Sequence, residues 1–261
     1  MMTNFELNAA FYDLLVDWDR RLNNELPFFQ DLFGDTKGRM ILDVACGTGR
    51  HALEFARLGH LVTGIDIDSQ MIELARKQIN SLGLKKENRL RFLAKSFEDL
   101  IAESSTIPGP FDFIDCIGNS LALSPTQDAL GKTMKAFFNR LKVGGRLIIQ
   151  LVNYQSKQGL AHWAGPMVKR SDRSGQLFYF TKLFDRVEPS TLKMTIAVLH
   201  RLSDNKWTAE FAENELQAFQ VTDVESAVRQ AGFTDWEVFG DYQKSRFDPE
   251  TSPDIIIVAT R

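Results

Sequence analysis

A strand, a glycine turn, a helix and a second strand that ends in an acid follow one another between residues 40 and 66. Residues 40–45 form an apolar run of strand length, and the Cys-Gly-Thr-Gly run at 46–49 breaks it. Apolar residues recur at helical spacing over residues 50–58, so the glycines separate a strand from a helix. Glycine lets the backbone turn sharply and approach a ligand, and a helix start offers unpaired N–H groups. The segment therefore predicts a nucleotide-binding crevice.

The second strand, at residues 61–66, ends at Asp66. In a doubly wound sheet, an acid at this carboxyl end can accept both ribose hydroxyls of a nucleoside. Gly47, Gly49 and Ala52 also follow the G-x-G-x-x-G/A spacing of dinucleotide-binding proteins, so an NAD-dependent dehydrogenase stays open. A glycine turn without the acid is typical of an ordinary structural turn, so Asp66 favours a ligand site.

Strand and helix signals alternate from about residue 40 to residue 152, which predicts an α/β fold with a doubly wound parallel sheet. We predict strands at 40–45, 61–66, 90–94, 111–117 and 146–152, and helices at 50–58, 69–82 and 127–141. Ser69 is expected to cap the second of these helices and Gly83 to end it. The Val-Gly-Gly run at 143–145 is expected to separate the third helix from the last strand.

The segments on either side of this core are predicted to form additional helices and strands. Residues 9–19 place Phe11, Leu14, Leu15 and Trp18 on one helical face, which could form a lid, and Pro27 is expected to open a second short helix. Residues 177–184 and 192–202 read as strands of an antiparallel insertion, with turns at 188–190 and 204–205. We therefore divide the chain into an N-terminal helical lid (1–38), a core (39–155), an antiparallel β insertion that covers the substrate (156–212) and a C-terminal completion of the core sheet (213–261).

The order of Asp43, Ala45, Gly47 and Gly49 resembles motif I of the class I S-adenosylmethionine (SAM) dependent methyltransferases. The closing pattern of a helix, Ala-Gly-Phe at 231–233 and two strands is similar to the same family. The resemblance covers residues 40–152 and 221–261. It implies a seven-stranded Rossmann-like sheet, mostly parallel with an antiparallel last strand, and it implies SAM as the cofactor.

The resemblance also implies positions for cofactor contacts. Ala45, Gly47 and Gly49 would line the methionine end of SAM with Asp43 beneath them, and Asp66 would hold the ribose. The family usually has an acid after strand three that binds the adenine amino group, and this chain has Ser96 there. The cofactor-binding residues expected from the resemblance are Asp43, Ala45, Cys46, Gly47, Gly49, Asp66, Ile67, Met71, Ser96, Phe97 and Ile117.

Two segments resemble the glycine and sarcosine N-methyltransferase group more narrowly. They are Ile-Asp-Cys-Ile-Gly-Asn-Ser at 114–120 and Leu-Val-Asn-Tyr at 151–154. The resemblance implies that Asn119 lies at the methyl acceptor, although Gly-Asn is also typical of a plain turn. The hydroxyls of Tyr12 and Tyr154 are candidates to orient the acceptor or its leaving proton.

One departure from that group concerns the acceptor. The arginine that clamps the amino-acid carboxylate in the group is Val152 here, and valine cannot form a bidentate grip. Glycine is therefore not expected as the acceptor. Arg170, Arg173 and Arg186 in the insertion are candidate anion contacts, and they are equally typical of solvated surface charges.

The composition of the chain limits its possible partners, its location and the kinds of site it can hold. The net charge is −3 and the chain has no block of basic residues, which disfavours nucleic acid as a partner. The apolar runs are strand-sized, and the start of the chain lacks the pattern of a signal peptide, so we expect a cytoplasmic protein without a membrane partner. Four scattered histidines and two cysteines predict neither a metal site nor a disulfide scaffold. The oligomeric state is not predicted.

The sequence thus predicts an enzyme, a SAM-dependent methyltransferase that transfers a methyl group to a nitrogen or oxygen of a small molecule by in-line displacement. Holding two reactants near attack distance in a dry pocket can contribute roughly 7–11 kcal/mol. Two alternatives remain open: the NAD-dependent oxidoreductase, and a non-catalytic protein that binds SAM as a sensor ligand.

Overall fold

The computed structural model describes residues 9–81, 89–102, 107–172, 174–201 and 206–261. No helix in these ranges is long and apolar enough to cross a membrane. The helices are α1 Ala9–Leu15, α2 Trp18–Phe33, α3 Arg50–Arg57, α4 Ser69–Ser81, α5 Phe97–Ile101, α6 Gln127–Arg140 and α7 Val221–Ala231. The strands are β1 Met40–Val44, β2 Leu61–Asp66, β3 Leu90–Ala94, β4 Phe111–Cys116, β5 Leu141–Val152, β6 His162–Ala164, β7 Val168–Ser171, β8 Leu177–Glu188, β9 Thr191–Arg201, β10 Trp207–Gln217, β11 Asp235–Phe239 and β12 Asp254–Thr260.

The main sheet has seven strands among the described residues, in the order β11-β12-β5-β4-β1-β2-β3. The strands from β1 to β5 pair in parallel, whereas β12 runs antiparallel to both β5 and β11. The predicted doubly wound, Rossmann-like α/β fold is therefore confirmed. The strand order reverses between β1 and β4, and ligands of such sheets bind beside the carboxyl ends at this switch point.

Two apolar layers hold helices on the two faces of this sheet. Alternate residues along a strand point to opposite faces, so Leu42 faces one layer while Ile41 faces the other. The first layer contains side chains of α6 and α7, and the second contains those of α2, α3 and α4. Because both faces are covered, the edge formed by the carboxyl ends is the part of the sheet left open for a ligand.

The N-terminal helices differ from the prediction in two respects. The expected single helix over residues 9–19 is interrupted, because Asp17 caps α2 and its carboxylate accepts a hydrogen bond from the Arg20 N–H at 3.2 Å. Pro27 lies inside α2 and does not open a helix. An internal proline costs about 3 kcal/mol, but burial of Phe28, Phe29 and Phe33 contributes about 1.5–3 kcal/mol per side chain, which favours one continuous helix.

Smaller differences occur at other element ends. Ser69 is the first helical residue of α4, and the cap is Asp68, whose Oδ1 accepts from the Gln70 N–H at 2.8 Å. The strand β5 begins directly after α6 and includes the glycine pair at 144–145, which was expected to stop the helix. Gly83 and the turn at 204–205 lie outside the described residues.

A second, antiparallel sheet follows β5, as the sequence predicts for the insertion. Its strands are ordered β10-β9-β8-β6, with β7 also paired to β8, and we call it the cover sheet. Phe11, Leu14 and Leu15 of α1 pack against its apolar face, where the ring centroids of Phe11 and Phe178 are 5.5 Å apart. The first helix therefore packs on the cover sheet rather than on an edge of the main sheet.

Candidate active site

A cavity of about 1910 Å³ lies between the carboxyl ends of the parallel strands, the N-terminal helices and the cover sheet. Ten residues predicted from the sequence line it: Tyr12, Ala45, Gly47, Asp66, Ile67, Met71, Ser96, Phe97, Asn119 and Tyr154. Four others do not line it: Asp43, Cys46, Gly49 and Ile117. The fold thus brings residues of α1, β2, α4 and α5 and of the turns after β1, β4 and β5 to one space.

The glycine turn after β1 presents its backbone to this cavity. Ala45 and Gly47 both have left-handed backbones, with φ of 57° and 55°. Gly47 has open space toward the cavity, since an added Cβ would lie 3.7 Å from Tyr12 Cε1. Gly49 is different, because a Cβ there would lie 2.4 Å from Phe92 Cζ. Gly49 is therefore required by packing under the turn, whereas Gly47 leaves the backbone accessible.

Asp66 forms hydrogen bonds that connect the glycine turn to the end of β2. Its Oδ2 accepts from the Gly47 N–H at 2.8 Å, and its Oδ1 accepts from the Asp68 N–H at 2.9 Å. Burial raises the pKa of Asp66 above its ordinary value, although these two backbone hydrogen bonds lower it. Each carboxylate oxygen can accept a second hydrogen bond, so Asp66 can receive two hydroxyl donors from the cavity.

Beyond Asp66, the cavity has an apolar shelf. Ile67 follows β2 and is 77% exposed, although it is a large hydrophobic side chain, and Met71 and Phe97 line the same region. Ser96 caps α5: its Oγ accepts from the Asp99 N–H at 3.3 Å, and Asp99 Oδ2 accepts from the Ser96 N–H at 2.9 Å. The Ser96 hydroxyl is thus engaged locally, while the shelf offers a flat apolar surface for a ring.

Asn119 and Tyr154 meet where β4 and β5 end. Asn119 has a left-handed backbone with φ of 69°, as a Gly-Asn turn predicts. Its Oδ1 accepts from the Val152 N–H at 2.8 Å, and its Nδ2 donates to the Tyr154 hydroxyl at 3.2 Å. Burial raises the pKa of Tyr154 to about 12, so this hydroxyl keeps its proton and can donate it to a ligand.

Gln150 supports that turn and was not anticipated. Its Oε1 accepts from the Gly118 N–H at 2.7 Å and from the Asn119 N–H at 3.1 Å, and its Nε2 donates to Asp254 Oδ1 at 2.7 Å. Burial raises the pKa of Asp254 to about 6. A glutamine within the apolar run at 147–152 was the available signal, but the sequence does not show which backbone it binds.

A charged network on α2 forms another wall of the cavity. Glu25 accepts from Arg21 Nε at 2.9 Å, and its other oxygen lies 2.7 Å from His51 Nε2. Burial raises the pKa of Glu25, but the hydrogen bonds with His51 and Arg21 outweigh it and hold the pKa below its ordinary value. A Cβ on Gly118 would lie 3.3 Å from Arg21 Nη2. The outer nitrogens of this guanidinium therefore face the turn after β4.

Tyr242 adds an unsatisfied polar group to the same wall. Its side chain is 6% exposed and lines the cavity, and its hydroxyl has no hydrogen-bond partner among the described residues. Buried polar groups are generally hydrogen-bonded. The Tyr242 hydroxyl and the outer nitrogens of Arg21 thus offer hydrogen-bond donors to a polar ligand. Neither residue lies in a segment that a sequence motif identified.

Two buried carboxyl groups lie behind the glycine turn. Asp43 on β1 and Asp115 on β4 are directly paired in the sheet register, with exposures of 2% and 0%. Burial raises the pKa of Asp43 to about 7 and that of Asp115 well above its ordinary value. The charge of Asp43 raises the pKa of Asp115 further, whereas a hydrogen bond with Asp115 lowers that of Asp43. Two like charges at this spacing do not both ionise in a buried site, so the pair holds a proton.

Other candidate residues lie elsewhere. Cys116 is buried in the core and Cys46 is half-buried, and neither forms a disulfide. Arg170 and Arg186 do not line the cavity, and Arg173 lies outside the described residues. In the ranges described above, no group of three or more histidine, cysteine or acidic residues is arranged to hold a metal ion.

Comparisons with known proteins agree with this geometry. A family model described as a methyltransferase domain matches residues 35–215. A methyltransferase-named protein of Geobacillus sp. (strain WCH70) is 22% identical over 96% of this chain and 99% of its own length. A glycine/sarcosine N-methyltransferase of Parasynechococcus marenigrum (strain WH8102) is 33% identical over 55% of this chain and 48% of its own length. A solved S-adenosylmethionine-dependent methyltransferase from Clostridium acetobutylicum has a TM-score of 0.74 at 20% identity, covering 97% of this chain and 96% of that chain.

Proposed function

Because the chain belongs to the methyltransferase domain family, we propose that it transfers a methyl group from SAM to a nitrogen or oxygen atom of a small molecule. One observation carries the proposal: a single cavity contains both the glycine turn with Asp66 and the Asn119–Tyr154 pair. A cofactor held at the first and an acceptor held at the second would lie side by side, as direct group transfer requires.

The residues of the cavity fit the parts of SAM. Asp66 suits the two ribose hydroxyls, and the exposed Ile67 shelf suits the adenine ring, which would cover it. The methionine carboxylate requires donors, and we assign to it the outer nitrogens of Arg21, which face Gly118 after β4, and the unpartnered Tyr242 hydroxyl. Tyr12 lies over Gly47, so we assign it to the cofactor end. The Phe97 N–H is our candidate for adenine, since Ser96 already caps α5.

The chain's own residues would act mainly by positioning. When bound, SAM supplies an electrophilic methyl group, and the acceptor lone pair displaces it as the carbon–sulfur bond breaks. The Tyr154 oxygen can accept a hydrogen bond from the N–H or O–H of the acceptor, which leaves the attacking lone pair free and fixes its direction, and Asn119 orients the Tyr154 hydroxyl. The proton that the acceptor loses can pass to water. The cover sheet limits the access of bulk solvent to this end of the cavity.

The proposed acceptor is a small molecule because the cavity is roofed by the cover sheet. With this sheet along one side, the cavity suits a small molecule better than a polymer, and the net charge of −3 does not favour nucleic acid. We further propose that residues 1–38, 39–155, 156–212 and 213–261 act as lid, cofactor core, substrate cover and sheet completion. Neither the dehydrogenase nor the sensor alternative gains support from the comparisons.

Isothermal titration with SAM and with its demethylated product tests the cofactor assignment. We expect wild-type protein to bind both, and we expect Asp66→Ala to weaken binding by at least about 100-fold, because two charge-assisted hydrogen bonds are lost. Asp185→Ala, at an exposed position outside the cavity, is the matched control and should bind like the wild type. Absence of binding by the wild type, or unchanged binding by Asp66→Ala, would contradict the proposal.

Catalysis is tested separately by incubating the protein with SAM and a panel of small amines and alcohols. Mass spectrometry should detect a methylated product and the demethylated cofactor in equal amounts. Tight SAM binding without transfer to any member of a broad panel would favour the sensor alternative.

A further inference from the structure

A lysine occupies an inward position in the aromatic row of the cover sheet. Phe178, Phe180, Lys182 and Phe184 stand at alternate positions of β8, and side chains at this spacing lie on one face of a strand. The three phenylalanines are 6%, 0% and 8% exposed. Phe180, Lys182 and Phe184 line the cavity, so the ammonium group is carried by an otherwise apolar part of its roof.

The neighbours of Lys182 on the cover sheet are also apolar. Lys182 is paired with Ile196 on β9, which in turn is paired with Ala212 on β10, and both line the cavity. The apolar surroundings lower the pKa of Lys182, and the charge of Arg21 lowers it further. The Lys182 side chain is nevertheless exposed, and because it lines the cavity, its ammonium group is open to a ligand there.

Among the described residues, Lys182 has no carboxylate partner. Four cationic side chains line the cavity, and three of them have a carboxylate within salt-bridge distance. Arg21 is paired with Glu25 at 2.9 Å, Lys95 with Asp99 at 3.2 Å and Lys132 with Asp128 at 2.7 Å. In the part of the chain that the structure describes, Lys182 forms no salt bridge.

The arginines expected to replace the missing carboxylate clamp are engaged elsewhere. Arg170 lies 3.5 Å from Asp17 and donates to the Lys169 carbonyl. Arg186 donates to three backbone carbonyls, those of Leu160, Pro189 and Lys157. Val152 also lines the cavity and has no charge to contribute. Lys182 is thus the cation of the cover sheet that faces the acceptor end.

We propose that Lys182 binds an anionic group of the methyl acceptor, a carboxylate or a phosphate ester, while the acceptor's nucleophilic atom lies at Tyr154. This inference rests on the proposed function, since it names the class of acceptor that the same cavity takes. Arg21 would meet the cofactor's carboxylate, and Lys182 would meet the acceptor's anion. The aromatic row on either side of Lys182 would contact the apolar part of the acceptor.

Direct binding to protein saturated with the demethylated cofactor tests the inference without knowledge of the true acceptor. The probes are 3-phenylpropionate and phenyl phosphate, each compared with a neutral analogue, 3-phenylpropanamide and phenol. Wild-type protein should bind at least one anion about 10-fold or more tightly than its neutral analogue, because a charge-assisted hydrogen bond forms. The two pairs distinguish a carboxylate site from a phosphate site.

Three variants assign the effect to Lys182. Lys182→Met keeps the length of the side chain and should reduce the preference for the anion to about 2-fold or less, whereas Lys182→Arg should retain it. Lys169→Met is the matched control, because Lys169 is an exposed lysine on β7 of the same sheet and does not line the cavity. It should bind like the wild type. All four proteins should bind the demethylated cofactor equally, which also shows that they are folded.

The possible failures are distinguishable. If the wild type binds the demethylated cofactor but shows no preference for either anion, the inference about Lys182 is wrong and the proposed function stands. The same holds if Lys182→Met keeps the full preference. If the wild type does not bind the cofactor or its product, the proposed function fails and the inference fails with it.

Discussion

The two ends of the cavity are built in different ways. At the cofactor end, the contacts come from backbone turns and strand ends that lie close in sequence, such as Gly47 and Asp66, joined by a hydrogen bond of 2.8 Å. At the acceptor end, they come from side chains far apart in sequence, such as Asn119, Tyr154 and Lys182. A site formed by backbone groups tolerates few substitutions, because the positions of those groups are fixed by the strands of the sheet. A side-chain site can change its ligand through single substitutions and keep the fold.

The largest expected effect lies within the glycine turn itself. Gly49→Ala should destabilise the protein by about 2–5 kcal/mol, because a Cβ would meet Phe92 at 2.4 Å and alanine is strained at φ 77°. Gly47→Ala should cost only about 1–2 kcal/mol, since its Cβ meets nothing closer than 3.7 Å, but it should weaken SAM binding. Urea unfolding and isothermal titration measure the two effects.

Gly131→Ala is the control for that pair, because it lies inside α6 with nothing within 4 Å of an added Cβ. It should leave SAM binding unchanged and stabilise the protein slightly. Equal losses of stability in Gly47→Ala and Gly49→Ala would contradict the distinction between an accessible and a packed glycine.

Gln150→Leu should disturb the acceptor end without removing the cofactor end. The substitution leaves the Gly118 N–H and the carboxyl of Asp254 without their side-chain partner, at about 1–3 kcal/mol for each group left unsatisfied. The Asn119 N–H loses one of its two acceptors and keeps the Gln150 carbonyl at 3.3 Å. We expect methyl transfer to fall by at least about 10-fold, with SAM affinity changed by less than about 3-fold. If SAM affinity falls as much as transfer, the two ends are not independent.

Tyr154→Phe should have a narrower effect. It removes the hydroxyl that accepts from Asn119 and leaves the ring packed on Phe184, with centroids 5.9 Å apart. We expect a loss of about 10-fold in transfer rate at saturating SAM and no change in SAM affinity. Steady-state kinetics with an identified acceptor provides the measurement, and a rate equal to that of the wild type would exclude the hydroxyl from positioning.

The smallest effect concerns the acid pair behind the turn. The pKa of Asp43 is raised from 3.8 to about 7, so the folded protein holds this proton more tightly than the unfolded chain does. The pair therefore lowers stability progressively as the pH rises from about 4 to about 7, where the folded state also ionises. Asp115→Asn removes the neighbouring acid and should make this decline shallower by about 1 kcal/mol.

Urea midpoints of wild type and variant across that pH range provide the measurement. Asp128→Asn, at the exposed pair with Lys132, is the matched control and should keep the wild-type slope. A decline that is unchanged or steeper in Asp115→Asn would contradict a shared proton between the two carboxyls.

Much of the core could be predicted from sequence because its signals are local. Strand β2 has the predicted bounds, since an apolar run between breakers indicates a buried strand directly. The course of α2 through Pro27 could not be predicted, because the local rule for proline is overridden by burial of three phenylalanines. Local propensity is decisive only where tertiary packing does not oppose it.

The residues of the candidate site also divide into those that the sequence could identify and those that it could not. Gly47 and Asp66 were identifiable because a turn and the end of the next strand are 19 residues apart and have a recognisable order. Gln150, Arg21, Tyr242 and Lys182 carry no motif, and their positions depend on which element packs opposite them. Asp43, Cys46, Gly49 and Ile117 were predicted from the same motifs, and these four do not line the cavity.

The sequence by itself determined the α/β class, the glycine turn and the acid after β2, because these depend on backbone conformation and on the spacing of apolar residues along one chain. The tertiary structure decided which side chains face the proposed acceptor end of the cavity, because the cover sheet and α2 come from distant parts of the chain. The role of a charged side chain such as Lys182 cannot be inferred until its neighbours in the fold are known. In sequence it is one lysine among many, and in the fold it is a cation without a salt-bridge partner in the described structure, within an aromatic row.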